Sequence, residues 1–281
     1  MESRAPTIID LDAELAKLTM FRGLTPLTPR AERAGSGAVM GHYREGVLFA
    51  GKFAGTTHWE DHPEDELVHV LAGSKTLDII SDDGAPQSFA LRAGMMFIVP
   101  KGAWHRFRSD EGGVTWSATI PGDHVEADVT DPRSVEPWKV APHGAPIIID
   151  FTAEVAKLTM FRDRTPLSTM ADRRGSAARL APYRDGGLSI TKFAGKGHWE
   201  AHLAGDELIY IVDGSATLEM LGEDGPRSFP LHAGMLAVNP QGAWHRFQSA
   251  EGVTLMAVTP APGDMIDQDV DDPRIVRPEL T

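Results

Sequence analysis

At 281 residues, with 42% apolar and 24% charged side chains, the chain is sized for one large or two ordinary globular domains and is composed unlike a disordered, collagen-like or coiled-coil protein. Forty acidic against 27 basic residues give a formal net charge of −13, which argues against binding a phosphate backbone. Cysteine is absent, so disulfides, thiol nucleophiles and iron–sulfur clusters are excluded, and any metal must be held by His, Asp or Glu.

The N-terminus, Met1-Glu2-Ser3-Arg4, has no charged-then-apolar export signal, and no apolar run approaches the roughly 18 residues of a membrane helix. A cytoplasmic protein without membrane or nucleic-acid partners is expected. The first element is a short amphipathic helix, with Leu11, Leu15 and Leu18 on one face and Asp12 as its N-cap. Beyond Pro26 the pattern changes to short segments of period two, such as Glu66–Leu71, separated by Gly-bearing turns at Asp82-Asp83-Gly84 and Glu111-Gly112-Gly113. Asp131-Pro132-Arg133 reads as a turn. A Pro-rich joint over 137–146 follows.

After the joint the pattern starts again. Lys17–Arg22 recurs unchanged as Lys157–Arg162, Lys52–Gly55 as Lys192–Gly195, His58-Trp59-Glu60 as His198-Trp199-Glu200, and Gly102–Phe107 as Gly242–Phe247, all at an offset of 140. Phe151, Val155 and Leu158, behind Thr152, repeat the opening helix. The chain is therefore read as a tandem duplication: domains over 6–137 and 146–278, with 138–145 as linker. Short strands at intervals of about 8–12 residues indicate an all-β sandwich or barrel in each half.

Six histidines fall at matched positions. Side chains alternate along a strand, so His58, Glu60 and His62 should share a face, as should His198, Glu200 and His202. Glu66 and Glu207 begin the next apolar strands. Downstream, Gly94, Pro100, Gly102 and His105, and again Gly234, Pro240, Gly242 and His245, outline a strand–turn–strand element ending in histidine.

This arrangement resembles the cupin superfamily in its two-domain, bicupin form, with cupin_2-like motifs in tandem. Glu60-x-His62, Glu66 and Gly73 fit the first cupin motif, as do Glu200-x-His202, Glu207 and Gly214; the second motif is matched in both halves. Two departures stand out. The first histidine of the usual His-x-His is Glu60 or Glu200, and the closing Asn of the second motif is Ser109 or Ser249. The resemblance implies two tandem jelly-roll barrels, each preceded by a short α-helix.

It also implies a divalent-metal site per barrel, held by Glu60, His62, Glu66 and His105 and by Glu200, His202, Glu207 and His245. Two imidazoles and two carboxylates suit Fe, Mn, Zn, Ni or Co alike. His58 and His198, about 6.7 Å along the strand from Glu60 and Glu200, are acid–base candidates beside the ligands. The converse, with His58 as ligand and Glu60 as general base, is the second arrangement the residues allow. The family hosts many reactions and also non-catalytic binders. The expectation is a metal-dependent enzyme on a small organic substrate, by dioxygenase or by Lewis-acid isomerase or lyase chemistry, as a monomer or homodimer. The alternative is a non-catalytic bicupin that binds or senses a small ligand. Lys52 and Lys192 are the expected cationic anchors for an anionic substrate. Trp59, Trp104, His69 and Tyr210 are read as packing, and Arg106 and Arg246 as pairing away from the site.

Overall fold

The computed structural model describes residues 5–125, 127–135, 142–266 and 268–276. It contains two ten-stranded sheets, each curled into a barrel, and the chain divides into two compact units. One comprises Ala13–Thr152; the other joins the residues up to Asp12 to those from Ala153 onward.

In the Ala13–Thr152 barrel the central strands are His105–Thr119 and Glu66–Ile80. Met95–Val99 and then Ile147–Asp150 continue the sheet on one side, and Trp59–Glu60 and His124–Val125 on the other. Gly46–Thr56 also pairs with His105–Thr119 and carries Gly37–Tyr43 on its far edge. The second barrel repeats this order around Glu207–Gly222 and His245–Pro260. Val70, Leu77, Ile79, Phe97 and Phe107 fill the first interior; Ile211, Leu218, Met220, Ala237 and Phe247 fill the second. The tryptophans read as packing do pack: Trp59 and Trp104 form a separate cluster with Ile80 and Val125, and Trp199 and Trp244 one with Ile266.

Three sequence expectations are revised. The opening strand of each repeat belongs to the other compact unit: Thr7–Asp10 pairs antiparallel with Met235–Asn239, and Ile147–Asp150 with Met95–Val99. The helices start at Leu11 and Phe151, so Asp12 and Thr152 lie in the first turn and are not the caps. The Leu11 N–H is satisfied by the Gly234 carbonyl at 3.1 Å. Glu111–Gly113 is not a turn but lies inside the long strand His105–Thr119. That strand bends there, its register against Glu66–Ile80 shifting around Gly73. Gly73 has φ +72°, and a Cβ on it would collide with the Gly112 carbonyl oxygen, so the bend requires glycine.

Asp131 and Asp272 cap short 3₁₀ turns, each accepting the N–H two residues on at 2.9 Å. Residues 136–141 of the joint lie outside the described residues. The end of the joint is tied down: Asp82 accepts the His143 N–H at 2.7 Å, and His143 Nε2 donates to the Ile80 carbonyl at 2.9 Å. Among the described residues no helix is long and apolar enough to cross a membrane.

Candidate metal centre

In the first barrel the site gathers where strands begin and end. Glu60 closes the two-residue strand Trp59–Glu60 directly opposite His105, the first residue of its own strand. Glu66 likewise opens its strand, opposite Val99. His62 lies just past the short strand, on irregular backbone. Ligand atoms of Glu60, His62 and His105 all lie within 4.8 Å of one another. Glu66 Oε2 joins them, 3.3 Å from His105 Nε2 and 3.7 Å from His62 Nε2. Neither histidine nitrogen of His62, nor His105 Nε2, nor Glu66 Oε2 has a hydrogen-bond partner, although all are buried. Buried polar atoms left unpaired cost about 1–3 kcal/mol each, and a cation among them would satisfy Glu66 Oε2, His105 Nε2 and one nitrogen of His62. These residues therefore fit a divalent ion.

His105 Nδ1 lies 2.9 Å from the Ala103 carbonyl. A carbonyl only accepts, so Nδ1 carries a proton and the Nε2 edge faces the cluster. His245 is oriented the same way by Ala243, also at 2.9 Å.

In the second barrel Glu200, His202, Glu207 and His245 all lie within 4.8 Å of one another. Here the carboxylate is more constrained. Glu207 accepts from His245 Nε2 at 2.9 Å, from the Asn239 amide at 3.1 Å and from the Thr259 hydroxyl at 2.8 Å. The residue matching Asn239 in the first barrel is Val99, which has no amide to offer.

The electrostatics differ accordingly. Burial raises the Glu60 carboxyl, but the His58 hydrogen bond and the charges of His105 and His62 outweigh it and bring it down to about 2. Glu200 goes the other way: burial and the neighbouring Glu207 charge push it up against His245 and His202. Burial opposes protonation of His245, yet Glu207 and Glu200 hold its pKa up to about 9.

His58 Nε2 lies 3.5 Å from Glu60 Oε2, and its ring is 5.1 Å from that of His124. His198 Nε2 is 3.9 Å from Glu200 Oε2. Burial, together with Arg164 and Arg173, pushes His198 down to about 3. Neither histidine joins the convergent groups; each stands behind its glutamate.

Other expected residues have plainer places. The Lys52 ammonium donates to the Leu18 carbonyl at 3.3 Å, so it secures the end of the opening helix and does not reach the site. Arg106 pairs with Asp78 at 3.0 Å over the Trp59 ring, and Arg246 pairs with Glu219 over Trp199. His69 is buried against Trp116 and Phe151. Ser109 and Ser249 donate to the Ser74 and Ser215 carbonyls at 2.6 Å and stabilise the bends.

The sequence reading overlooked three polar residues that lie in the barrel interiors: Lys75, Arg164 and Asn239. All three occupy positions where the two repeats differ, so nothing in the repeated motifs marks them.

The Cupin domain family matches residues 48–116. A comparison with curated protein sequences gives no match. Among solved structures, Bacillus subtilis oxalate decarboxylase, described with Mn(II) centres, aligns at 13% identity and a TM-score of 0.52 over 87% of this chain and 78% of that one. A second oxalate decarboxylase structure, concerned with substrate binding and reaction specificity, aligns at 12% and 0.51 over 83% and 75%. The chain carries a Cupin domain match within its first barrel, and its two-barrel fold is the one these structures share. It carries in each barrel a His/Glu group positioned for a divalent metal.

Proposed function

We propose that the protein is a metal-dependent enzyme acting on a small organic molecule, with a divalent ion in each barrel held by Glu60, His62, Glu66 and His105 and by Glu200, His202, Glu207 and His245. The observation that carries this reading is the set of buried, unpartnered ligand atoms of His62, Glu66, His105 and His202 aimed into two enclosed clusters. A bound ion supplies a Lewis acid that polarises substrate oxygen. Glu60, ionised at neutral pH, needs to lose no proton before it ligates. His58, against the outer edge of Glu60, is placed to hold or accept a proton at Nε2. The protein is read as cytoplasmic, monomeric or homodimeric, with a small-molecule substrate and without nucleic-acid or membrane partners.

A specific observation favours a second, narrower reading. Glu207 is already engaged by Asn239, Thr259 and His245, as a structural network without metal would require. In that case the first barrel alone is the working site. Metal analysis of protein purified without chelator decides the matter. About two equivalents per chain are expected, with Glu66→Ala and Glu207→Ala each losing about one. Loss confined to Glu66→Ala supports the single-site reading, and less than about 0.2 equivalent in the wild type refutes both.

A further inference from the structure

Among the described residues each barrel buries one cation that no carboxylate pairs, and the two barrels deliver it from different strands. In the first barrel Lys75, 4% exposed, lies on Glu66–Ile80 with its ammonium 3.5 Å from the centre of the Phe53 ring and 5.8 Å from that of Phe107. Phe107 in turn meets the His105 ring edge-on at 5.5 Å. In the second barrel Arg164, 9% exposed, lies on Phe161–Arg164 with its guanidinium 4.4 Å from the Phe193 ring, the counterpart of Phe53.

The cradles have been exchanged along with the cations. Lys75 packs on Gly113, where an added Cβ would stand 2.8 Å from its Cε; the second barrel has Ala216 and Val253 at these positions, a small residue facing a large one the other way round. The Arg164 guanidinium lies beside Gly197, 3.6 Å from an added Cβ; the first barrel has Leu24 and Thr57 there. A charge placed by accident would not come twice with a complementary glycine.

We propose that Lys75 and Arg164 are the anchors for the carboxylate of an organic anion, each binding it inside its own barrel from a different wall. Among the described residues, neither forms an ion pair or hydrogen bond to a carboxylate, and Arg164 Nε is buried without a partner. A ring face returns to a cation far less than burial takes from it. Both groups feel the clusters: Glu66 and Glu60 act on Lys75, and Glu200 on Arg164. With a divalent ion in the cluster, ion and buried cation together exceed the two carboxylates by one positive charge, which an anion between them balances. The anchors also differ in kind. An ammonium is a point charge, whereas a guanidinium offers two parallel donors to a planar carboxylate. The barrels therefore select different members of one ligand class.

This inference rests on reading the barrels as small-molecule sites, and its test is separable from that of the metal. Malonate, with malonamide as neutral control, is titrated calorimetrically into the full chain as purified, whose metal content is measured in parallel. The variants are Lys75→Ala with Gly113→Val and Arg164→Leu with Gly197→Thr, each importing the packing that the other barrel already uses. Wild type should bind malonate and not malonamide; each paired variant should lose one site, with affinity there falling at least about tenfold, and the combined variant should bind none. Should a paired variant unfold, Lys75→Met or Arg164→Gln reads the same loss. Malonate binding unchanged in all variants, or equal binding of malonamide, overturns the inference. Absence of metal with anchor-dependent malonate binding overturns only the metal reading.

Discussion

Replacing Lys75 by methionine keeps an unbranched stem and removes only the charge, which makes it a direct measure of how poorly the ammonium is compensated. Burial pushes Lys75 down to about 7, against the upward pull of Glu66 and Glu60. In the unfolded chain the same amine titrates near ~10.4. Between these values the unfolded chain binds a proton that the folded barrel does not, so wild-type stability rises with pH across the window. Below about 7 the group is charged in both states and its full cost is present, ~5 kcal/mol. The cost declines by about 1.4 kcal/mol per pH unit above that. Lys75→Met should therefore be more stable than wild type at pH 7, and its advantage should shrink by about 2 kcal/mol at pH 9. Neighbouring histidines are common to both proteins and drop out of the comparison. Urea unfolding of the chelator-treated chain, followed by tryptophan fluorescence and read from the transition that the substitution moves, gives the two differences. An advantage that is equal at both pH values, or a variant less stable than wild type at both, refutes the reasoning.

Two further outcomes test the fold and its electrostatics. Asp78 is buried and accepts from Arg106, Arg108 and Ser88; burial raises its carboxyl, but these partners bring it below the usual range. Asp78→Asn should cost ~3–5 kcal/mol at pH 7, and the gap from wild type should close as pH falls below about 4, since a lowered carboxyl contributes stability only while ionised. Thermal melts at pH 7 and 3 measure it. Deleting residues 1–10 removes the strand paired with Met235–Asn239, so amide exchange by mass spectrometry should accelerate over 235–239 and stay unchanged over 95–99. Acceleration over 95–99 instead would contradict the strand exchange.

Much of the site could be read before any coordinates. Histidines and glutamates at motif spacing, present twice, pointed to Glu60, His62, Glu66 and His105 and their counterparts, and these groups do converge. Glu60, Glu66 and His105 stand at strand ends whose pairing sets their direction, whereas His62, on irregular backbone, was indicated by the spacing of the motif that the chain resembles. Lys52 shows the limit. Its distance along the chain from His58 suggested an anchor, but the direction of its side chain depends on the Leu18 carbonyl, brought there by the helix and not by the strand.

The sequence by itself determined that there are two copies of one β unit and which residues could hold a metal without cysteine. Tertiary structure alone decided which sheet edge each opening strand covers, because Ile9 and Ile149 would satisfy either edge equally by pattern. It also decided that Lys75 and Arg164 meet equivalent phenylalanines from different walls. Residues distant in the chain share a volume only after the sheet has closed, and the hole left by Gly113 or Gly197 is what admits a cation in one barrel and excludes it in the other. The same closure gave Glu207 the amide of Asn239 and left Glu66 facing Val99, so two sites that are near-copies in sequence differ in how freely their carboxylates can take a metal.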